Sequence, residues 1–265
     1  MAKKRVEAGR GRKPGVVKSA KKPGANRAFY MIIGAIAVLG IAALTYVSTR
    51  PKTGTTINPY DSTLPKVASQ GYVMGSPAAP IEVVEFGDFE CPQCGRFATL
   101  TEPDIRTRLV DSGRIRFRFI DFPLDMHRNT WNASRAAACA DEQGKFWQMH
   151  DAIFANQDRW NTEATDNPDK VLKEIGKTVV PNADQFNQCV DTKKTQAKIQ
   201  AHWELATARH LPGTPTFLIG DQQLPQFLGY DDFKKLVDDA IAKGGPKDAA
   251  PLGDTSKAAS LKKGE

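Results

Sequence analysis

Cys91-Pro92-Gln93-Cys94 is the segment whose residue types and spacing most directly offer chemistry. Two thiols separated by two residues can close a reversible disulfide, chelate a metal or form a fixed bridge. A structural zinc centre needs four ligands, and the remaining cysteines and the four histidines are scattered along the chain, so no metal ligand is assigned. Position favours the redox reading. The pair follows a β-branched apolar run at residues 81–86 (IEVVEF) and precedes a segment of helical spacing. A cysteine at such a strand-to-helix junction faces unpaired backbone N–H groups and the positive end of the helix dipole, both of which stabilise a thiolate. A sulfur of lower pKa is a better leaving group, and its disulfide is more oxidising. Pro92 suits the first helical turn, where its missing N–H costs little.

The elements that must hold this pair can be read on either side of it. Residues 81–86 read as a central strand. Residues 96–109 have apolar positions at Phe97, Leu100, Ile105 and Leu109, a helical pattern that Pro103 should kink or divide. Residues 114–122 alternate Ile115, Phe117 and Phe119 against Arg116 and Arg118, a period of two that marks a strand. A helical block follows over about 130–209, with Phe146, Met149 and Ile153 at three- and four-residue steps. Next come a strand at 216–219, a turn at Gly220-Asp221, a second short strand near 226–228, and a closing helix over 230–243. The order is βαβ, helical block, ββα, an α/β fold.

Charge and hydropathy set the surroundings. The chain is +7 overall, but residues 1–28 hold ten Lys/Arg against Glu7 alone, so the remainder is net acidic. The basic tail runs into residues 29–48, twenty residues without a charge. At 1.5 Å per residue these span roughly the 30 Å of bilayer hydrocarbon. A basic leader directly before an apolar segment argues for a membrane anchor with its N-terminus in the cytoplasm, and against nucleic acid as the partner. A cleavable signal peptide is the alternative; it has a shorter apolar run and a small-residue cleavage site, which this segment lacks. Either way the rest of the chain is exported, where disulfides persist, and four cysteines are an even number. The organisation expected is a cytoplasmic tail 1–28, an anchor 29–48, a Thr- and Pro-rich linker 49–70, a folded domain 71–243 and a disordered tail 244–265.

The stretch from Gly75-Ser76-Pro77 and Ala79-Pro80 through Glu85-Phe86-Gly87-Asp88-Phe89-Glu90 to Cys91-Pro92-Gln93-Cys94 closely resembles the DsbA-like branch of the thioredoxin superfamily. So does Gly213-Thr214-Pro215-Thr216-Phe217, which looks like that superfamily's cis-proline loop. The resemblance covers about residues 71–243, with a helical insertion at about 129–209. It implies a thioredoxin-like fold and dithiol–disulfide exchange with exported proteins that carry cysteine pairs, without a dissociable cofactor. By resemblance, Cys91 is the exposed sulfur that forms the mixed disulfide and Cys94 the more buried resolving sulfur. Thr214 and Pro215 would present backbone to substrate. Glu85 matches a buried acid that assists proton transfer at the second cysteine; pointing to a polar edge is its alternative. Similar proteins often bridge the positions of Cys139 and Cys189; two buried free thiols are the alternative. His127 reads as a capping or packing residue.

The expected activity is oxidation of cysteine pairs on the extracytoplasmic face, with a membrane redox partner to recycle the dithiol. Gln93 departs from the histidine common between the cysteines of strong oxidants, which leaves an anchored reductase or isomerase as the second reading. A non-catalytic binding or chaperone domain on the same scaffold is the third.

Overall fold

The computed structural model describes residues 27–49 and 60–244. The first span is a single helix, α1 (Arg27–Thr49), of 23 residues. Its apolar side chains over Phe29–Tyr46 are exposed, and its length and composition suit a membrane crossing. Residues 1–26, 50–59 and 245–265, which hold most of the expected basic tail, part of the expected linker and nearly all of the expected C-terminal tail, lie outside the described residues.

Residues 60–244 lie in the second unit, built on a mixed five-stranded sheet whose order is β1 (Tyr72–Met74), β3 (Ile115–Asp121), β2 (Ile81–Gly87), β4 (Thr216–Ile219) and β5 (Gln222–Leu224). β2 (Ile81–Gly87) and β3 (Ile115–Asp121) are its parallel centre. A parallel pair needs a crossover, and α2 (Pro92–Leu100) with α3 (Glu102–Ile105) supplies it. Pro103 divides this crossover: lacking an N–H, it sits in the first turn of α3, and the break falls at Thr101. The segment Arg106–Val110 then widens into a π-helical turn, closed by the Asp111 N–H on the Arg106 carbonyl.

Alternation along β2 sorts its side chains between two layers. Val83 faces Phe97, Ile105, Phe117, Phe217 and Phe233, against α2 and the last helix, α10 (Tyr230–Ala242). Val84 and Phe86 face Leu205 and Ala206 of α9 (Gln196–Ala208). Glu85 takes the same face as Val83, which brings an acid into the interior.

The helical insertion consists of α4 (Thr130–Asp141), α5 (Phe146–Ala155), α6 (Gln157–Trp160), α7 (Pro168–Gly176), α8 (Ala183–Asp191) and α9. Asn167 and Asn182 cap α7 and α8, their side chains accepting from Lys170 N and Gln185 N. Trp131, Trp160 and Phe186 are fully buried within this layer, and Cys139 of α4 is joined to Cys189 of α8 (S–S 2.01 Å).

Three features differ from the sequence reading. The second short strand is β5 (Gln222–Leu224), not 226–228. β4 (Thr216–Ile219) turns through Gly220 (φ +61°) and Asp221 alone, so pairing resumes at once with Ile219 opposite Gln222, and Pro225 ends it. An additional strand, β1 (Tyr72–Met74), pairs antiparallel with β3; three residues between Gly71 and Gly75 are too few for a periodic signal. The end of the supposed linker is bound: Asp61 and Gln200 exchange hydrogen bonds of 2.9 and 3.0 Å, and Tyr60 lies 5.9 Å from Trp203. A run poor in apolar residues is held there by paired polar groups on α9.

Candidate active site

Cys91 is the N-cap of α2, with extended backbone angles, and Pro92 is the first helical residue. Cys94 lies one turn inside the helix. Both thiols are free, and they differ in environment. Cys94 has no exposed surface, whereas Cys91 keeps 6%. The expected exposed sulfur is therefore only a narrow opening, because the loop before β4 lies over it. Pro92 and Gln93 are exposed beside it. Thr214-Pro215 is a cis peptide, and the Thr214 carbonyl accepts from Cys91 Sγ at 3.4 Å. The Thr214 hydroxyl is buried without another partner among the described residues, and it favours the Cys91 thiolate.

The two sulfurs are driven apart in acidity. The Cys94 thiol, helped by the N–H groups of Gln93 and Cys94 and by Thr214, outweighs burial and lowers Cys91 to about 6. Burial, with Cys91 and Glu85 as neighbouring negative groups, pushes Cys94 well up. Glu85 is 1% exposed, and burial first, then the charges of Glu102 and Cys91, raise its proton affinity. The dithiol, the cis-proline loop and Glu85 thus meet at one end of the central strands. The Cys139–Cys189 bridge lies apart, in the helical layer.

Two supports escaped the sequence reading. Fully buried Asp88 binds four donors: Glu90 N and Thr130 Oγ1 on one oxygen, Leu124 N and His127 Nδ1 on the other. Burial works against a charged His127, but Asp88 outweighs it and raises its pKa. Gln157 of α6 donates to the carbonyls of Phe89 (2.7 Å) and Cys91 (3.1 Å), fixing the approach to the dithiol. A lone Asp and a lone Gln carry no spacing pattern that sequence alone would reveal.

Against known proteins, a family model described as Thioredoxin matches residues 68–239. The chain belongs to the thioredoxin family. Among curated relatives, it is 32% identical over 164 residues to Na(+)/H(+) antiporter NhaA 3 of Salinispora tropica, covering 62% of this chain and 24% of that protein. It therefore spans about a quarter of that relative's length. It is 29% identical over 178 residues to a probable disulfide bond formation protein D of Bacillus anthracis, covering 64% and 78% of the two chains. Among solved structures, oxidised BdbD from Bacillus subtilis superposes with a TM-score of 0.58 at 23% identity, over 68% of this chain and all of the other (100%). That likeness shows the shared fold, a thioredoxin-like core with a helical insertion, and this chain also carries one apolar helix long enough to cross a membrane.

Proposed function

We propose that this thioredoxin-family chain is a membrane-anchored thiol–disulfide oxidoreductase that oxidises cysteine pairs of exported proteins. The observation that carries the reading is the placement of two free thiols at the start of α2, Cys91 as the N-cap 3.4 Å from the Thr214 carbonyl of the cis-proline loop and Cys94 fully buried one turn inside, an arrangement that lowers Cys91 to about 6 and raises Cys94. At pH 7 a thiol of pKa 6 is roughly nine-tenths thiolate. Stabilising that thiolate favours the reduced enzyme and makes its disulfide a stronger oxidant. The likeness to proteins named for disulfide bond formation supports the same direction.

In the proposed cycle, a substrate thiolate attacks Cys91 Sγ. The Cys91–Cys94 bond breaks, and Cys94 leaves with the electron pair and takes a proton from Glu85. A second substrate thiolate then attacks the substrate sulfur of the mixed disulfide, and Cys91 leaves as its stabilised thiolate. The substrate has lost two electrons and the dithiol has gained them. Thr214, ahead of the cis bond, offers backbone to an extended substrate segment. The α1 helix holds the domain at the membrane with the N-terminus inside, where a membrane redox partner would reoxidise the dithiol.

The test is a glutathione titration of the full-length chain in detergent, following the Cys91–Cys94 pair by alkylation. Thioredoxin and DsbA mark the range at about −270 and −120 mV. A midpoint near the latter is expected. One near −270 mV would reverse the direction to reduction, and absence of a Cys91-dependent transition would overturn the reading.

A further inference from the structure

In the proposed cycle Glu85 gives a proton to Cys94, yet at 1% exposure it has no direct access to water. Behind it lies a second buried polar group. Glu85 is in register with Phe119 of β3, and the Phe119 ring stands 5.1 Å from that of His150 in α5. His150 is fully buried among Phe89, Phe119, Phe146, Trp147 and Phe154. Its Nε2 lies 3.8 Å from Oε2 of Glu102, which is also fully buried. Neither atom, nor Oε2 of Glu85, has a hydrogen-bond partner among the described residues. Buried polar atoms without partners are rare and costly, and each calls for a reason. Glu102 is also the strongest charged influence on Glu85, so the two carboxyls sense each other.

The far side of the same imidazole meets a group that does reach solvent. Nδ1 is 2.9 Å from Oδ1 of Asp151, whose side chain is 49% exposed. Arg106 holds the array, donating from Nε to Glu102 Oε1 (2.9 Å) and from Nη1 to Asp151 Oδ2 (2.8 Å). Its Nη2 stands 3.5 Å from His150 Nδ1. The guanidinium fills the centre that a metal ion would need among these three ligand types.

We propose that Glu102 and His150 form a proton relay joining buried Glu85 to the solvent-facing Asp151. The relay rests on the oxidoreductase reading and supplies its missing proton route. When Cys94 leaves and takes the Glu85 proton, Nδ1 of His150 takes a proton that solvent passes across the exposed Asp151 carboxylate. The imidazolium so formed then delivers its Nε2 proton through Glu102 to the Glu85 carboxylate. On reoxidation, Cys94 returns its proton to Glu85, Nε2 accepts it through Glu102, and Nδ1–H releases one to Asp151. Each half-reaction leaves the imidazole in the tautomer that the other needs, so the ring need not flip. Only protons travel here; the two electrons stay with the sulfurs.

His150 and Glu102 act through Glu85 and are positioning residues. The test uses the full-length chain in detergent, measuring the rates of its reduction by glutathione and reoxidation by oxidised glutathione. His150→Gln is expected to slow both by about tenfold or more, in keeping with the scale of proton-transfer catalysis, and to leave the midpoint potential unchanged, since a relay sets rates and not equilibria. In a Glu85→Gln background the same change should have no further effect. Asp151→Asn, at a half-exposed position, should slow both directions and serves if His150→Gln does not fold. Unchanged rates in a folded His150→Gln chain, an equal further loss in the Glu85→Gln background, or a potential shift matching the rate loss would overturn the relay alone. A wild-type chain that does not exchange with glutathione would overturn the oxidoreductase reading with it.

Discussion

Cys91 and Cys94 are chemically identical and three residues apart, and their difference comes from depth. Cys91 at the helix N-terminus is favoured as a thiolate by the Cys94 thiol first, then by Thr214 and the N–H groups, whereas Cys94, one turn in, meets burial, the Cys91 sulfur and the Glu85 carboxyl. The consequence for pH can be signed. Reduced and folded, Cys91 titrates at about 6, against about 8.5 in an unfolded chain. Between those values the unfolded chain binds more protons, so the stability of the reduced form rises with pH through this window. It is lost as pH falls through about 6. Denaturation midpoints of the reduced chain should therefore climb relative to the oxidised chain from about pH 6 to 8.5, and Cys91→Ser should remove the trend. Glu85 has the opposite sign. Its raised pKa makes ionisation above the ordinary carboxyl range a cost to the fold. Glu85→Gln is expected to raise the thermal midpoint at neutral pH while slowing exchange with glutathione; a lower midpoint would contradict the buried-acid account.

At the scale of elements, two devices hold the domain together. The Cys139–Cys189 bridge ties α4 to α8 across 50 residues of sequence. Removing a loop constraint of that size costs roughly 2–4 kcal/mol. The Cys139→Ser/Cys189→Ser chain should show that loss in a denaturant titration of its midpoint and slope, and should retain exchange at Cys91. The second device is the close approach of β2 to β3. A Cβ at Gly87 would come within 2.3 Å of the fully buried Phe119 ring. Gly87→Ala should cost about 1–3 kcal/mol by overpacking. It should also disturb the wall shared by Glu85 and His150, detectable as slower exchange beyond the stability loss.

For the whole molecule, the strong asymmetry of charge and hydropathy carries the prediction. A basic tail ahead of one apolar helix favours an inside N-terminus, which would set Cys91 on the outer face. In intact cells treated with a membrane-impermeant reductant, an impermeant maleimide should label Cys91. Protection of Cys91 until the cells are lysed would reverse the orientation.

The thioredoxin-like class was legible because its signals are local. A β-branched run, a CxxC at the helix start, an alternating strand and a Thr-Pro loop can each be read within about ten residues, and their order restricts the topology. The apolar stretch at 29–48 was legible for the same reason. What lay beyond reach was set by contacts distant in sequence. β1 exists because β3 offers it an edge, residues 60–70 are held by α9, and β5 begins one turn after β4 because Gly220 permits a two-residue reversal. The four donors on Asp88, the Gln157 clamp and the Glu102–His150–Asp151 array each join separate elements. The sequence by itself determined which residues could do chemistry and the order of the elements that carry them, since propensity and spacing act between neighbours. Tertiary structure alone decided how deep each group lies and what faces it, because burial and charge depend on distance in space.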